Sequence, residues 1–151
     1  MKLIVACDKN GGIGLDNKLP WQKIEGDLPR FKRLTEGNVV VMGRKTWISL
    51  NCKPLPNRIH FIVTSGIGFY PSSCFTIPNL SYISNFNNAW IIGGSQLIES
   101  NWKYIHEIHL TQAFKQYHCD KFIDLNYIKD NFFIVEASGH GDHNYEVYIR
   151  K

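Results

Sequence analysis

Two segments of the chain run from a strand-like stretch through glycine directly into a helix-like one. Val39-Val40-Val41-Met42-Gly43-Arg44-Lys45-Thr46-Trp47 is the first, and Trp90-Ile91-Ile92-Gly93-Gly94-Ser95-Gln96 is the second. An unbroken, mostly β-branched apolar run reads as a strand buried on both faces, which parallel sheets covered by helices provide. A strand passing so abruptly into a helix is the unit from which α/β sheets are built. Similar short runs at Lys2–Cys7, Val39–Met42, Ile59–Thr64, Cys74–Ile77, Ala89–Ile92, Glu107–Phe114, Phe132–Ala137 and Tyr145–Arg150 predict further strands. Helices are predicted over Asp27–Glu36, Lys45–Leu50 and Gln96–Trp102, with a weaker one over Leu80–Phe86. The alternation over the first two thirds, followed by two closing strands, predicts an α/β fold: a mainly parallel sheet with an antiparallel C-terminal edge and about four flanking helices.

The 151 residues fit one domain, taken as 1–151. A chain of this size buries roughly 68–70% of its unfolded surface, enough for a core without staples. A net charge of +4, with no run of Lys or Arg, predicts no nucleic-acid partner. No apolar run approaches the ~18 residues of a membrane span. Cys7, Cys52, Cys74 and Cys119 are scattered without a Cys-x-x-Cys, which fits a reducing, cytoplasmic setting rather than a disulfide framework. His106, His109, His118 and Cys119 lack the spacing of a metal site, so no metal is expected. Asp8–Lys23 and Cys52–Arg58 read as loops, the first too long for a simple connection.

Arg44 and Lys45 place two cations in the first turn of a helix, where positive charge is disfavoured by about 0.3–1 kcal/mol per residue. Either an anion docks there, held by the cations and the free amides, or both side chains extend into water. The adjacent glycines of the second junction allow close backbone approach to a ligand. Carboxyl ends of strands are where open α/β sheets bind ligands. Gly-x-Gly-x-x-Gly after a strand is absent, which excludes an ordinary dinucleotide-binding domain. Asp27 has two readings. It caps the helix that follows, or, with Trp21 before it and Leu28 and Phe31 after it, it is a carboxylate in an apolar pocket.

Ile4-Val5-Ala6, Gly12-Ile13-Gly14, Leu19-Pro20-Trp21 and Asp27-Leu28-Pro29-Arg30-Phe31-Lys32 together form a recognisable pattern. Val41–Trp47, Pro54-Leu55-Pro56-Asn57-Arg58, Ile92-Gly93-Gly94 and Leu110-Thr111 continue it in order. The chain resembles the dihydrofolate reductases over essentially its whole length. The resemblance implies an eight-stranded sheet, a cis Gly93–Gly94 peptide and NADPH-dependent reduction of 7,8-dihydrofolate to 5,6,7,8-tetrahydrofolate. Hydride would reach C6 of the pterin and a proton N5, with water supplying the proton. The family assigns catalytic roles to Asp27, Trp21, Leu19 and Thr111. It assigns substrate contacts to Ile4, Ala6, Asp27, Leu28, Phe31, Lys32, Leu50, Leu55, Arg58, Ile92 and Thr111. Cofactor contacts would come from Ala6, Ile13, Gly14, Gly43, Arg44, Lys45, Thr46 and Ser49. Thr64, Ser65, Ile92, Gly93, Gly94, Ser95, Gln96 and Leu97 would complete that set. Gly14 and Leu19 would belong to a closing lid.

Two positions depart from the family's pattern: Ile98 stands where a tyrosine is common, and Gln96 where a basic residue often assists phosphate binding. The implied partners are dihydrofolate and folate-like inhibitors, bound by a monomer without nucleic acid or membrane. Two alternatives remain: a riboflavin-pathway reductase of the same fold, which has little need of Asp27 or Arg58, and a non-catalytic module that keeps the fold as scaffold.

Overall fold

The computed structural model describes residues 1–66 and 71–151. The strands are β1 (Lys2–Cys7), β2 (Gly12–Gly14), β3 (Val39–Gly43), β4 (Ile59–Val63), β5 (Phe75–Ile77), β6 (Trp90–Gly93), β7 (Glu107–Ala113), β8 (Lys121–Phe122), β9 (Phe132–Gly139) and β10 (His143–Arg150). The α-helices are α1 (Asp27–Thr35), α2 (Arg44–Ser49), α3 (Ser95–Glu99) and α4 (Leu125–Asn131). One sheet of eight strands runs in the order β5-β4-β3-β6-β1-β7-β10-β9. The pairings from β5 to β7 are parallel, and β10 is antiparallel to both β7 and β9.

Side chains alternate across this sheet, and the alternation builds a core on each face. Leu3, Val41, Ile91, Ile108 and Leu110 point to one side and pack with Leu97, Ile98 and Ile128. Ile4, Val40, Met42, Ile62 and Trp90 point to the other and pack with Trp47, Phe31 and Leu34. Full burial of side chains of this size stabilises by roughly 1.5–3 kcal/mol each. Both faces of the central strands are therefore covered, which is why their sequences read as unbroken apolar runs.

Four local expectations change. Leu80–Phe86 shortens to a 3₁₀ turn over Leu80–Ile83, because Asn79 binds the Ser81 amide (3.0 Å) and tightens the start. The predicted Gln96–Trp102 helix ends at Glu99, and a separate 3₁₀ turn follows at Trp102–Tyr104. Helix α4 was not expected, although Asp124 supplies a helix start by accepting the Tyr127 amide at 2.9 Å. Within the predicted Asp8–Lys23 loop, β2 pairs with β8 in a small second sheet. Buried Asp8 fixes that hairpin-like region: its carboxylate accepts from the amides of Asn10 and Gly12 (2.8 Å each) and of Tyr117 (2.9 Å).

Candidate active site

A cavity of about 750 Å³ opens at the carboxyl ends of β1, β3, β4 and β6. From β1 the chain runs outward through β3, β4 and β5 on one side, then returns to place β6 between β3 and β1 and β7 on the other side of β1, so the cavity lies where the chain's order along the sheet reverses. Its wall is drawn from segments far apart in sequence. Ile4 and Ala6 come from β1, Ile13, Gly14 and Leu19 from the β2 region, and Asp27, Leu28 and Phe31 from α1. Gly43 ends β3 and Arg44, Lys45, Thr46, Ser49 and Leu50 follow it; Thr64 and Ser65 follow β4; Ile92, Gly93, Gly94, Ser95, Gln96 and Leu97 span the end of β6 and the start of α3. These expected site residues share one cavity.

Helix α1 delivers the acid. Gly26, in the left-handed region at φ 79°, occupies the cap position, and no side chain caps the helix. Asp27 is the first helical residue, so the capping role is not the one its side chain takes; a carboxylate there still complements the helix dipole. Pro29 is tolerated because the amides of the first turn have no partner within the helix. Asp27 is half-buried. Burial holds its carboxyl above the ordinary value of 3.8, while the Thr111 hydroxyl and the charges of Arg30 and His143 oppose that rise. Thr111 is buried on β7, opposite Ala6 of β1, which brings it behind the acid.

The two strand-glycine-helix junctions meet across the cavity. The Gly93–Gly94 peptide is cis and Gly93 has φ 134°, a region that side chains rarely adopt. A Cβ on either glycine would lie 3.3 Å from Thr46 Oγ1, so these positions have no room for one without displacing the hydroxyl. Gly43 pairs with Val63 in the parallel register of β3 and β4, which sets Arg44 beside the loop after β4. Thr64 Oγ1 accepts the Gly66 amide at 3.1 Å, and a Cβ on Gly66 would sit 3.1 Å from an Arg44 guanidinium nitrogen. A cation, two hydroxyls and close-approaching backbone thus line the same rim.

Trp21, Lys32, Leu55, Arg58 and Thr111 do not line the cavity. Trp21 is buried with Ile24 and Ala113, its ring edge-on to Tyr117 at 5.6 Å. Lys32 is exposed on α1. Arg58 stands above Phe31, its guanidinium carbon 5.7 Å from the ring, and its buried Nε has no hydrogen-bond partner among the described residues. A guanidinium beside the cavity's Phe31 has the chemistry to bind a carboxylate. Buried His60 organises this loop by accepting the Leu55 amide at 2.9 Å.

Several wall residues escaped sequence reasoning, among them Asn17, Lys18, Val63, Pro78, Asn101 and Lys121. Lys121 arrives through the β2–β8 pairing, whose segments are too short to carry a strand signal. Buried Arg30, directly behind Asp27, was also missed. Its position one turn after an acid on a predicted helix was the available signal.

A family model described as dihydrofolate reductase matches residues 1–150. The type 8 dihydrofolate reductase of Escherichia coli is 34% identical, over 98% of this chain and 94% of that protein. The dihydrofolate reductase of Bacillus subtilis (strain 168) is 34% identical over 80% of this chain and 73% of its own length. The bifunctional dihydrofolate reductase-thymidylate synthase of Paramecium tetraurelia is also 34% identical, but the match spans only 28% of that longer protein. Among solved structures, a dihydrofolate reductase from Enterococcus faecalis complexed with NADP(H) and RAB-propyl superposes with a TM-score of 0.86. It is 28% identical, and the match covers 99% of this chain and 95% of that one.

Proposed function

The chain belongs to the dihydrofolate reductase family, an NADPH-dependent enzyme reducing 7,8-dihydrofolate to 5,6,7,8-tetrahydrofolate, and we propose how its residues divide that work. The observation that carries the division is that Asp27 shares one cavity with the Gly93–Gly94 pair and with Arg44. An acid stands at one end and a phosphate-suited rim at the other.

The rim fits a phosphorylated dinucleotide. Arg44 and Lys45 supply positive charge, Thr64 and Ser65 hydroxyls, and the glycines let backbone approach where a Cβ would crowd Thr46. When bound there, NADPH supplies the hydride that reaches C6 of the pterin. Ala6, Ile13, Gly14, Gly43, Thr46, Ser49, Ile92, Ser95, Gln96 and Leu97 shape its bed. At the other end Asp27 accepts from the amide edge of the pterin, steadied by Thr111. A carboxylate held there favours the N5-protonated ring, and water delivers that proton. Ile4, Leu28, Phe31 and Leu50 give the pterin and benzoyl rings apolar contact, with Leu55 in the adjoining loop. Arg58 pairs with the α-carboxylate of the glutamate tail, with Lys32 nearby on the outer face. Gly14 and Leu19 belong to the segment that closes over the reacting rings and excludes water, with Trp21 packed at its end against Ile24 and Ala113.

We further infer one domain, monomeric and cytoplasmic. Four free cysteines support a reducing compartment, and among the described residues no helix is long and apolar enough to cross a membrane. The riboflavin-pathway and scaffold alternatives are not favoured, since the family match spans residues 1–150. The direct test follows NADPH absorbance as protein meets dihydrofolate: it should fall, and a folate-analogue inhibitor should stop the fall. Absence of NADPH consumption by folded protein would refute the reading.

A further inference from the structure

Arg30 is a buried cation with no ion-pair partner within 4.0 Å among the described residues. Such groups are rarely buried unless charge or hydrogen bonds compensate them. Its Nη1 donates to Thr111 Oγ1 at 3.0 Å, and its guanidinium carbon lies 4.0 Å from the centre of the Tyr145 ring. Tyr145 faces Thr111 across the β7–β10 pairing, so one register places both of the guanidinium's partners. The Tyr145 hydroxyl is bonded to His109 Nδ1, and His109 Nε2 meets Glu107 Oε1 at 2.5 Å. Neither Arg30, Thr111 nor Tyr145 lines the cavity. Whatever Arg30 does for the reaction, it does through another residue.

That residue is Asp27. Positions three apart on a helix are neighbours, so Asp27 and Arg30 lie on one side of α1, and both address the Thr111 hydroxyl. We propose that Arg30 is a positioning residue for the active-site acid: it is the fixed counter-charge behind Asp27, and through their shared Thr111 it orients the carboxylate toward the cavity. The groups facing Asp27 are Arg30 from α1, Thr111 from β7 and His143 from β10, the last bonded through Nδ1 to Asp142 at 2.6 Å. Tyr145 is in turn surrounded by Arg30, Arg33, Glu136 and Glu107. Only Arg30 is a permanent cation among the groups facing the acid. Arginine suits the place because its plane stacks on Tyr145 while its edge donates to Thr111; a lysine cannot do both. The charge opposes the rise that burial imposes on the Asp27 carboxyl.

The inference rests on the dihydrofolate reductase reading for its catalytic meaning, and its test separates the two. Carboxyl ¹³C NMR of aspartate-labelled protein, with Asp27→Asn to assign the signal, follows the titration of Asp27 directly. In Arg30→Gln the midpoint should move up by on the order of one unit, as expected when an opposite charge within about 4–6 Å is lost. Arg30→Lys should return it most of the way. Arg30→Met, similar in length and equally uncharged, gives the same test if the glutamine variant does not fold. A residue that only packs against Tyr145 would lower thermal stability in these variants without moving that midpoint. An unmoved midpoint in a parent that reduces dihydrofolate overturns the role of Arg30 alone. A shifted midpoint in a protein that reduces no dihydrofolate upholds the counter-charge and removes the folate reading.

Discussion

At the scale of the residue, Asp27 shows how a site and a fold pull against each other. Burial raises its carboxyl above 3.8, so the folded protein binds its proton more tightly than the unfolded chain does. Stability therefore falls as pH rises from the unfolded value through the raised folded one, because ionising a half-buried carboxylate destabilises the native state. Asp27→Asn has no proton to lose. Its melting temperature should exceed the parent's above that window and match it below pH 3.8, as parallel calorimetric scans across pH would show. Its side chain caps nothing in α1, so the replacement spares the helix start. Dihydrofolate reduction at neutral pH should nevertheless drop on the order of 10²–10⁴-fold, the ordinary worth of a positioned acid or base. The loss should shrink at lower pH, where the substrate arrives already protonated. Paired pH–rate profiles decide this, and a folded mutant with the parent's neutral rate would leave the acid without a catalytic role. The cysteines make a second residue-scale contrast. Burial pushes the Cys7 thiol up to about 12, and burial together with the Asp8 charge pushes Cys119 to about 11. Exposed Cys52 should therefore label first with a thiol reagent, and mass spectrometry of partly labelled protein would locate the adduct.

At the scale of the element, the strand-glycine-helix junctions were the most legible part of the molecule. Their apolar runs, glycines and cations are contiguous in sequence, so the local pattern carries the elements themselves. The parallel register of β3 with β4 adds what no local pattern could, the meeting of Arg44 with Thr64 and Gly66. If that rim holds the extra phosphate that distinguishes NADPH from NADH, Arg44→Ala should weaken NADPH binding far more than NADH binding. Fluorescence titration with both cofactors reads this, and equal losses would assign Arg44 another task. The loop holding Arg58 was legible in its prolines, whereas a role for Arg58 came only from the resemblance. Its anchoring by His60, whose ring accepts the Leu55 amide, follows from β4 lying beside the loop. Arg58→Leu should raise KM for dihydrofolate roughly ten- to hundredfold, since a charge-assisted hydrogen bond contributes about 1.5–3 kcal/mol. A dihydropterin without the glutamate tail should be nearly indifferent to the change, and the two substrates compared in one assay give the answer. What stayed hidden were β2 and β8, short strands that pairing across the chain creates, and α4, a seven-residue helix too brief to show a periodicity of its own.

At the scale of the whole molecule, the sheet class was readable, whereas strand order was not. Unbroken apolar runs tell which strands are buried on both faces, but nothing local says that β6 enters between β3 and β1. That insertion makes the site, because it carries Gly93 and Gly94 to the middle of the sheet beside Ala6 and Gly43. The same order leaves β9 at an open edge, with Phe133, Ile134 and Val135 at 60%, 51% and 60% exposure. An exposed apolar edge strand is a template for pairing with another chain. Three features of this edge resist that. The register between β10 and β9 shifts between Val147 and Tyr148, which leaves Val135 unpaired and bends the strand. The Lys151 ammonium stands 5.3 Å from the Phe133 ring centre and bonds the Asp130 carbonyl at 2.9 Å, setting a charge over the apolar surface. Glu136 is the only charged residue within β9 itself, so two copies pairing in antiparallel fashion around it would bring like charges together. Light scattering should accordingly give the monomer mass of 17.4 kDa at micromolar concentration. Glu136→Val removes the guarding charge while keeping a side chain suited to a strand, so it should bring concentration-dependent self-association without altering reduction of dihydrofolate in dilute solution. A parent already dimeric on dilution, or a Glu136→Val protein that stays monomeric, would show that the edge is not held apart in this way.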